Sequence, residues 1–250
     1  MLPQPFFIAI MSDCIIDPVR SRGEPALPAT GILAVNPADS SSFSPLARRY
    51  DLVRHTLFHS QLYGNDVFFV AGPAVGAPMA AICLEKLIAL GARRIIVYGW
   101  CGSLHPSLVA GDVFIPTGGL SEEGTSRHYQ EAGGNDDDSL RLRLADALTR
   151  TDGFAVPKQG RIWTTDAVYR ETREKVEWYG AQGILAVDME YTALRAVAAF
   201  RRVSLAAVML VSDELFHRKW APRIHRKDFG RLSKQVLACL CSLIQDGGII

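Results

Sequence analysis

A single α/β domain is the fold the sequence predicts, and three observations carry that reading. Residues 67–98 spell a strand, a small-residue loop, a helix and a second strand. Two further apolar runs, Ile184–Val187 and Leu205–Val211, are followed by acids where a buried strand would give way to a helix or loop. Of the 250 residues 48% are apolar, enough for a sizeable core, and no internal repeat or linker divides the chain.

The elements follow in order. Residues 1–29 are proline-rich, with Arg20 and Arg22 in a polar patch, and read as an irregular arm suited to packing on a neighbouring subunit. Gly31–Val35 is a first strand. Asn36-Pro37-Ala38-Asp39 turns the chain, since Asn-Pro initiates turns. A helix start over 40–44 leads into one or two turns at Pro45–Tyr50. Arg54–Leu62 and Asp66–Ala71 are expected to pair around Gly64-Asn65.

Val67–Ala71 is the strand that opens the clearest unit. Gly72–Gly76 is its loop, Ala77–Leu90 its helix, and Arg94–Tyr98 the next strand. Pro78 near the helix start and Gly91 past its end fit the usual asymmetry of helix termini. Such a unit implies parallel strands and a right-handed crossover. Gly72 and Gly76 would let backbone amides approach an anion at the helix start. The loop is neither a GxGxxG fingerprint nor a P-loop, which argues against a dinucleotide site.

Gly99–Leu104 reads as a second glycine-bearing loop at a strand end, and Val113–Pro116 as a strand. The polar stretch Thr117–Asp138 is long enough to be functional or mobile. Ser139–Thr151 is an amphipathic helix, Gly160–Thr164 a strand, and Thr172–Gly180 a helix ending in glycine. Ile184–Val187 gives way at Asp188-Met189-Glu190 to a helix over Tyr191–Phe200. Leu205–Val211 leads to Asp213, and a last helix spans Asp228–Ile244 with Leu232, Val236, Leu240 and Leu243 on one face.

Composition narrows function. With 27 basic and 26 acidic side chains the chain offers no nucleic-acid surface. Cys14, Cys83, Cys101, Cys239 and Cys241 are odd in number and include no CxxC, so reduced thiols and no zinc site are expected. The apolar run Phe6–Met11 is too short to span a membrane and lacks a preceding basic residue, so a cytoplasmic protein without a membrane role is expected.

Gly99-Trp100-Cys101-Gly102-Ser103-Leu104, Val187-Asp188-Met189-Glu190 and Val211-Ser212-Asp213 come in the order and spacing of the nucleoside phosphorylase and nucleosidase family. The resemblance runs from Gly31 to the C-terminus. It implies a three-layer αβα domain with a mixed, partly barrel-like central sheet. It also implies cleavage of a nucleoside's N-glycosidic bond to free base and ribose 1-phosphate, with hydrolysis to ribose as the alternative. By the same resemblance Glu190 holds the ribose hydroxyls, Met189 lies under the sugar, and Asp188 belongs to the same motif. Asp213 protonates N7 of a departing purine with Arg226 as helper. Tyr169, Asp166, Cys101 and Gly102 stand beside the base or sugar. An acceptor-only carboxylate suits a vicinal diol, and its charge favours an oxocarbenium-like sugar.

The phosphate site departs from the family's pattern. Val97 stands where phosphorylases have an arginine, and Trp100 where they have a small hydroxyl residue. Gly72 and Arg54 remain as phosphate contacts, a thin set for a dianion that wants several charge-assisted donors. Asp39 falls near the position where nucleosidases carry the acid that activates water. No cofactor is implied beyond phosphate as a co-substrate. A symmetric homo-oligomer, dimer or hexamer, is implied, with the N-terminal arm, His128 and Arg54 as residues that reach a neighbour. A binding protein without turnover is the rival reading, and it leaves the acid Asp213 unexplained.

Overall fold

The computed structural model describes residues 14–57, 60–129 and 138–249. Ten strands form one sheet in the order β10-β9-β6-β7-β8-β5-β1-β4-β3-β2, and a further pairing of β9 with β5 closes five of them into a barrel. The strands are β1 (Thr30–Ala34), β2 (Val53–Leu57), β3 (Ser60–Gly64), β4 (Phe69–Gly72), β5 (Arg94–Ser103), β6 (Val113–Ser121), β7 (Lys158–Thr164), β8 (Ile184–Asp188), β9 (Ser204–Glu214) and β10 (Ala221–Pro222). The helices are α1 (Phe43–Tyr50), α2 (Ala77–Leu90), α3 (Ser139–Thr149), α4 (Arg173–Ala181), α5 (Tyr191–Arg201) and α6 (Lys227–Gln245).

Alternation along the central strands sorts the core into two layers. Leu33, Ile95, Val97, Ala207 and Met209 face the layer of α2 and α5, packed with Leu84, Leu87, Leu194 and Val197. Ile32, Ile96, Tyr98, Ala206 and Val208 face the layer of α1, α3 and α6, packed with Leu46, Leu144, Val236 and Leu240. Each of these strands is buried on both faces, which is why the sequence reads as apolar runs rather than alternation.

Strand β5 positions the site. Its first half lies between β1 and β9, both parallel to it. Beyond a bulge at Cys101/Gly102 its end pairs with β8 on one side and β9 on the other. The expected loop at Gly99–Leu104 is therefore strand. Glycine reads as a breaker in sequence, whereas here it serves close approach: a Cβ on Gly102 would overlap the Leu215 side chain and crowd Val187 and the Asp213 carboxylate.

Other boundaries shift for similar reasons. The expected strand Arg54–Leu62 is two antiparallel strands, β2 and β3, whose connecting residues 58–59 lie outside the described set. The hairpin at Asn65 joins β3 to β4, with the Asn65 carboxamide oxygen accepting from the Val67 and Phe68 amides at 2.8 and 2.9 Å. The stretch from Thr117 is strand to Ser121, followed by a 3₁₀ turn at Ser126–Tyr129, and residues 130–137 lie outside the described set. β4 and β5 are parallel as expected, with β1 between them. Residues 14–29 contain no helix or strand, and the rest of the expected arm is outside the described residues.

Candidate functional site

A cavity of about 630 Å³ opens where β5, β8 and β9 end. Ligands of open α/β sheets collect at such strand ends. Its lining includes Glu190, Met189 and Asp188 from the β8–α5 junction, Cys101 and Gly102 from β5, Asp213 from β9, and Tyr169 and Glu171 from the segment before α4.

Asp188 and Glu190 divide their labour. Asp188 accepts from the Thr164 hydroxyl at 2.6 Å and from the Glu190 and Tyr191 amides at 3.0 and 2.7 Å, so it ties β8 to the first turn of α5. An acid at that place satisfies helix-terminal amides that would otherwise lack partners. Its hydrogen-bonding oxygens are thereby engaged inside the protein. Glu190 takes the Gly76 amide at 2.6 Å, so an amide of the loop that opens α2 is already engaged by the protein's own carboxyl group. Burial and the Asp188 charge push Glu190 up to about 8. Burial also raises Asp188, but three donors oppose that rise, so Asp188 is the member of the pair that keeps its charge.

Asp213 is half-buried and doubly held. The Ser212 hydroxyl donates to Oδ1 at 2.6 Å and the Trp220 indole to Oδ2 at 2.7 Å. Its side chain accepts from no backbone amide among the described residues, so it is not a turn cap. Arg226 does not reach it: that guanidinium is largely exposed and pairs with Asp228 at 3.1 Å. Trp220, which sequence reasoning passed over, touches the acid together with Ser212.

Glu171 was likewise missed. It lines the cavity, no hydrogen-bond partner for its carboxyl is found among the described residues, and burial followed by the Asp213 charge pushes it up to about 8. Tyr169 lines the mouth and is 97% exposed, a ring available to stack rather than part of a core. Asp166 is outside the lining and accepts from the Gly124 amide at 2.9 Å. Of the described residues in the lining only Arg173 is basic, and its guanidinium donates to the carbonyls of Leu215, at 3.0 Å, and His217.

The expected phosphate and water contacts lie elsewhere. Gly72 is outside the lining; its φ is +137° and a Cβ there would overlap the Ala34 carbonyl, so it serves packing of β4 on β1. Arg54 is exposed on β2, the edge strand. Asp39 is 2% exposed and outside the lining, linked to the lining residue Trp100 through Ser233. It takes the Ser233 hydroxyl at 2.6 Å, and its Oδ2 is buried with no partner.

Asp39 should leave a signature in stability. Burial raises its pKa from 3.8 to about 6, so the folded state holds its proton more tightly than the unfolded chain. Stability then falls as pH rises from about 4 to about 6 and levels off above. The loss is on the order of 3 kcal/mol at about 1.4 kcal/mol per pH unit. Asp39→Asn should flatten that part of the curve in denaturant melts at stepped pH; an unchanged slope would show that Asp39 is not buried as described.

Residues 33–245 match the family model of the phosphorylase superfamily. A guanosine phosphorylase of Halorubrum lacusprofundi is 28% identical over 182 residues, covering 71% of each chain. A DeoD-type purine nucleoside phosphorylase of Bacillus thuringiensis is 31% identical over 172 residues, covering 67% of this chain and 72% of the relative. The fold is shared with a purine nucleoside phosphorylase of Toxoplasma gondii solved with immucillin-H, at TM-score 0.74 and 21% identity over 95% of this chain and all of that one. It is shared also with an AMP nucleosidase of Bacteroides thetaiotaomicron, at TM-score 0.65 and 19% identity over 85% and 90%. The protein is thus an enzyme of the pentosyltransferase or N-glycosyl hydrolase class. The chain belongs to the phosphorylase superfamily, and the mixed barrel-like sheet between helical layers is that fold. No helix of the described residues is long and apolar enough to cross a membrane.

Proposed function

We propose that this enzyme hydrolyses the N-glycosidic bond of a purine nucleoside, releasing the base and ribose. The observation that carries the reading is one cavity lined by both Glu190 and Asp213. Glu190 takes the ribose diol and, as an anion, favours the cationic sugar that forms as the base leaves. Met189 packs under the sugar, and Tyr169 offers a ring to the flat base at the mouth. Asp213 passes a proton drawn from solvent to N7 while the C1′–N9 electron pair passes to the base. Water then bonds to C1′, and its second proton returns to solvent and replaces the one Asp213 supplied.

Glu171 favours a 6-oxopurine. Once ionised, a carboxylate with no protein partner is acceptor-only and takes N1–H of guanine or hypoxanthine, while adenine has no hydrogen there. Water is favoured as acceptor because three other acids share the lining with Glu171, whereas its one basic side chain is committed to backbone carbonyls. The phosphorolytic reading has its own support in the names of the two sequence relatives, and exposed Arg54 on an edge strand would serve a neighbouring subunit if the enzyme is a homo-oligomer. The cytoplasm is the proposed location, and no cofactor is invoked.

A nucleoside panel with and without inorganic phosphate tests the proposal. Guanosine and inosine should give free ribose at a rate independent of phosphate. Ribose 1-phosphate as the product would replace hydrolysis by phosphorolysis, and no cleavage of any purine nucleoside would remove the reading.

A further inference from the structure

Glu171, Trp220 and Asp213 make up the part of the lining assigned to the base. Another part comes from β1, the loop before α2 and β5, and we take it as the sugar end because the Gly76 amide holds Glu190 there. There the Val35 amide donates to the Tyr98 carbonyl at 2.9 Å, the Ala74 amide to the Val35 carbonyl at 3.0 Å, and the Gly76 amide to Glu190. Val35, Asn36, Pro37, Val75 and Trp100 line that end beside Glu190. With the diol on Glu190 and the base beside Asp213, as proposed above, a nucleophile attacking C1′ from the side opposite the base would stand against this wall.

Trp100 is the largest group in the wall and is fixed from behind. Its indole N–H donates to Ser233 Oγ at 3.1 Å, and Ser233 in turn donates to Asp39 at 2.6 Å. The Tyr98 hydroxyl lies 2.9 Å from the same Ser233 oxygen and donates to the Ser233 carbonyl at 3.0 Å. Phe229 packs edge-on to the indole, with ring centroids 4.9 Å apart. A tryptophan held by one hydrogen bond and one aromatic edge, with its anchor bonded to a buried carboxyl, has little freedom to swing aside. Among the described residues the wall has no basic side chain, and apart from Glu190 its polar side-chain groups are the Asn36 amide and the Trp100 indole N–H, which is turned to Ser233.

We propose that Trp100, pinned through Ser233 to Asp39, is the acceptor-selecting residue of this enzyme, closing the sugar end to nucleophiles larger than water. The inference rests on the hydrolytic reading above and deepens it. Trp100 is a specificity residue that meets the acceptor, and Ser233 and Asp39 are positioning residues that act through it. In the step concerned, the C1′–N9 bond breaks with its electrons going to the base, and a C1′–O bond forms to whichever acceptor fits. The acceptor's proton passes to solvent.

The test is product partition in the full-length enzyme supplied with guanosine or inosine, in water alone, in water with added methanol, and in water with added inorganic phosphate. Wild type should yield ribose throughout. Trp100→Ala should divert at least roughly a tenth of turnover to methyl riboside, because removing the ring opens room beside C1′. Ser233→Ala keeps the ring but removes its anchor, so it should give the same product at a lower share. It also serves if Trp100→Ala fails to fold. A role in stability alone would lower Tm and leave the product ratio unchanged. Wild-type hydrolysis with no change of partition in either variant overturns the inference and leaves the hydrolytic reading intact. Ribose 1-phosphate from wild type overturns both. Absence of cleavage by wild type overturns the reading on which both stand.

Discussion

Glu190→Gln is expected to lower kcat by roughly two to three orders of magnitude, about 2–4 kcal/mol of barrier, while leaving Tm level or slightly raised. The reason lies in what the substitution keeps. Glutamine retains an oxygen for the Gly76 amide, so the start of α2 and the β8–α5 junction stay joined. It removes a carboxylate that is 6% exposed and whose pKa burial and Asp188 raise to about 8. A carboxyl with a raised folded pKa penalises folding once pH exceeds its unfolded value, so neutralising it cannot cost stability through charge. The anion matters only when the sugar becomes cationic, which is why the loss should fall on kcat. The pH profile supplies a second check. In the free enzyme kcat/KM should rise with pH through about 8 as Glu190 ionises, and Glu190→Gln should lack that limb. A variant with wild-type kcat would end the proposed sugar role.

What the sequence made legible depended on whether a residue's type determines its surroundings. Helix α2 runs over the residues expected, because Gly76, Pro78 and Gly91 punctuate it locally. The β8–α5 junction was legible because an apolar run followed by acids is how a buried strand ends in a helix start. β5 was cut short since Gly99 and Gly102 look like breakers; only the side chains that converge on Gly102 explain them, and those come from residues more than 80 positions away. The site divides along the same line. Glu190 and Asp213 sit at strand ends, and their strands carry them to one cavity. Arg226 and Asp39 were named from the family resemblance, which does not say where a side chain points in this chain: one turns out to Asp228, the other inward to Ser233. Trp220 and Glu171 fall in polar stretches with no pattern, and only the folded chain brings both to the side of Asp213.

Asp213→Asn should separate acid catalysis from a structural role more sharply than any other change. Asparagine can keep the local structure. The Trp220 indole only donates, so the amide oxygen must take the Oδ2 position, 2.7 Å from that nitrogen. The amide NH₂ then faces Ser212, whose hydroxyl is free to turn its proton to the Cys101 carbonyl at 3.2 Å and accept in its place. Fold and cavity should therefore survive, with Tm within a few degrees of wild type, since a change of about 1 kcal/mol shifts Tm by roughly 2–4 °C in a chain of this size. The proton supply does not survive. Cleavage of guanosine or inosine should fall by roughly two to four orders of magnitude. A substrate whose leaving group needs no proton at N7, a nitrophenyl riboside or a 7-methylated purine nucleoside, should lose far less. The comparison is internal to one variant, so any general damage to the cavity appears equally in both substrates. Equal losses would assign Asp213 to positioning through Trp220 and Ser212. No loss on either would remove it from the reaction.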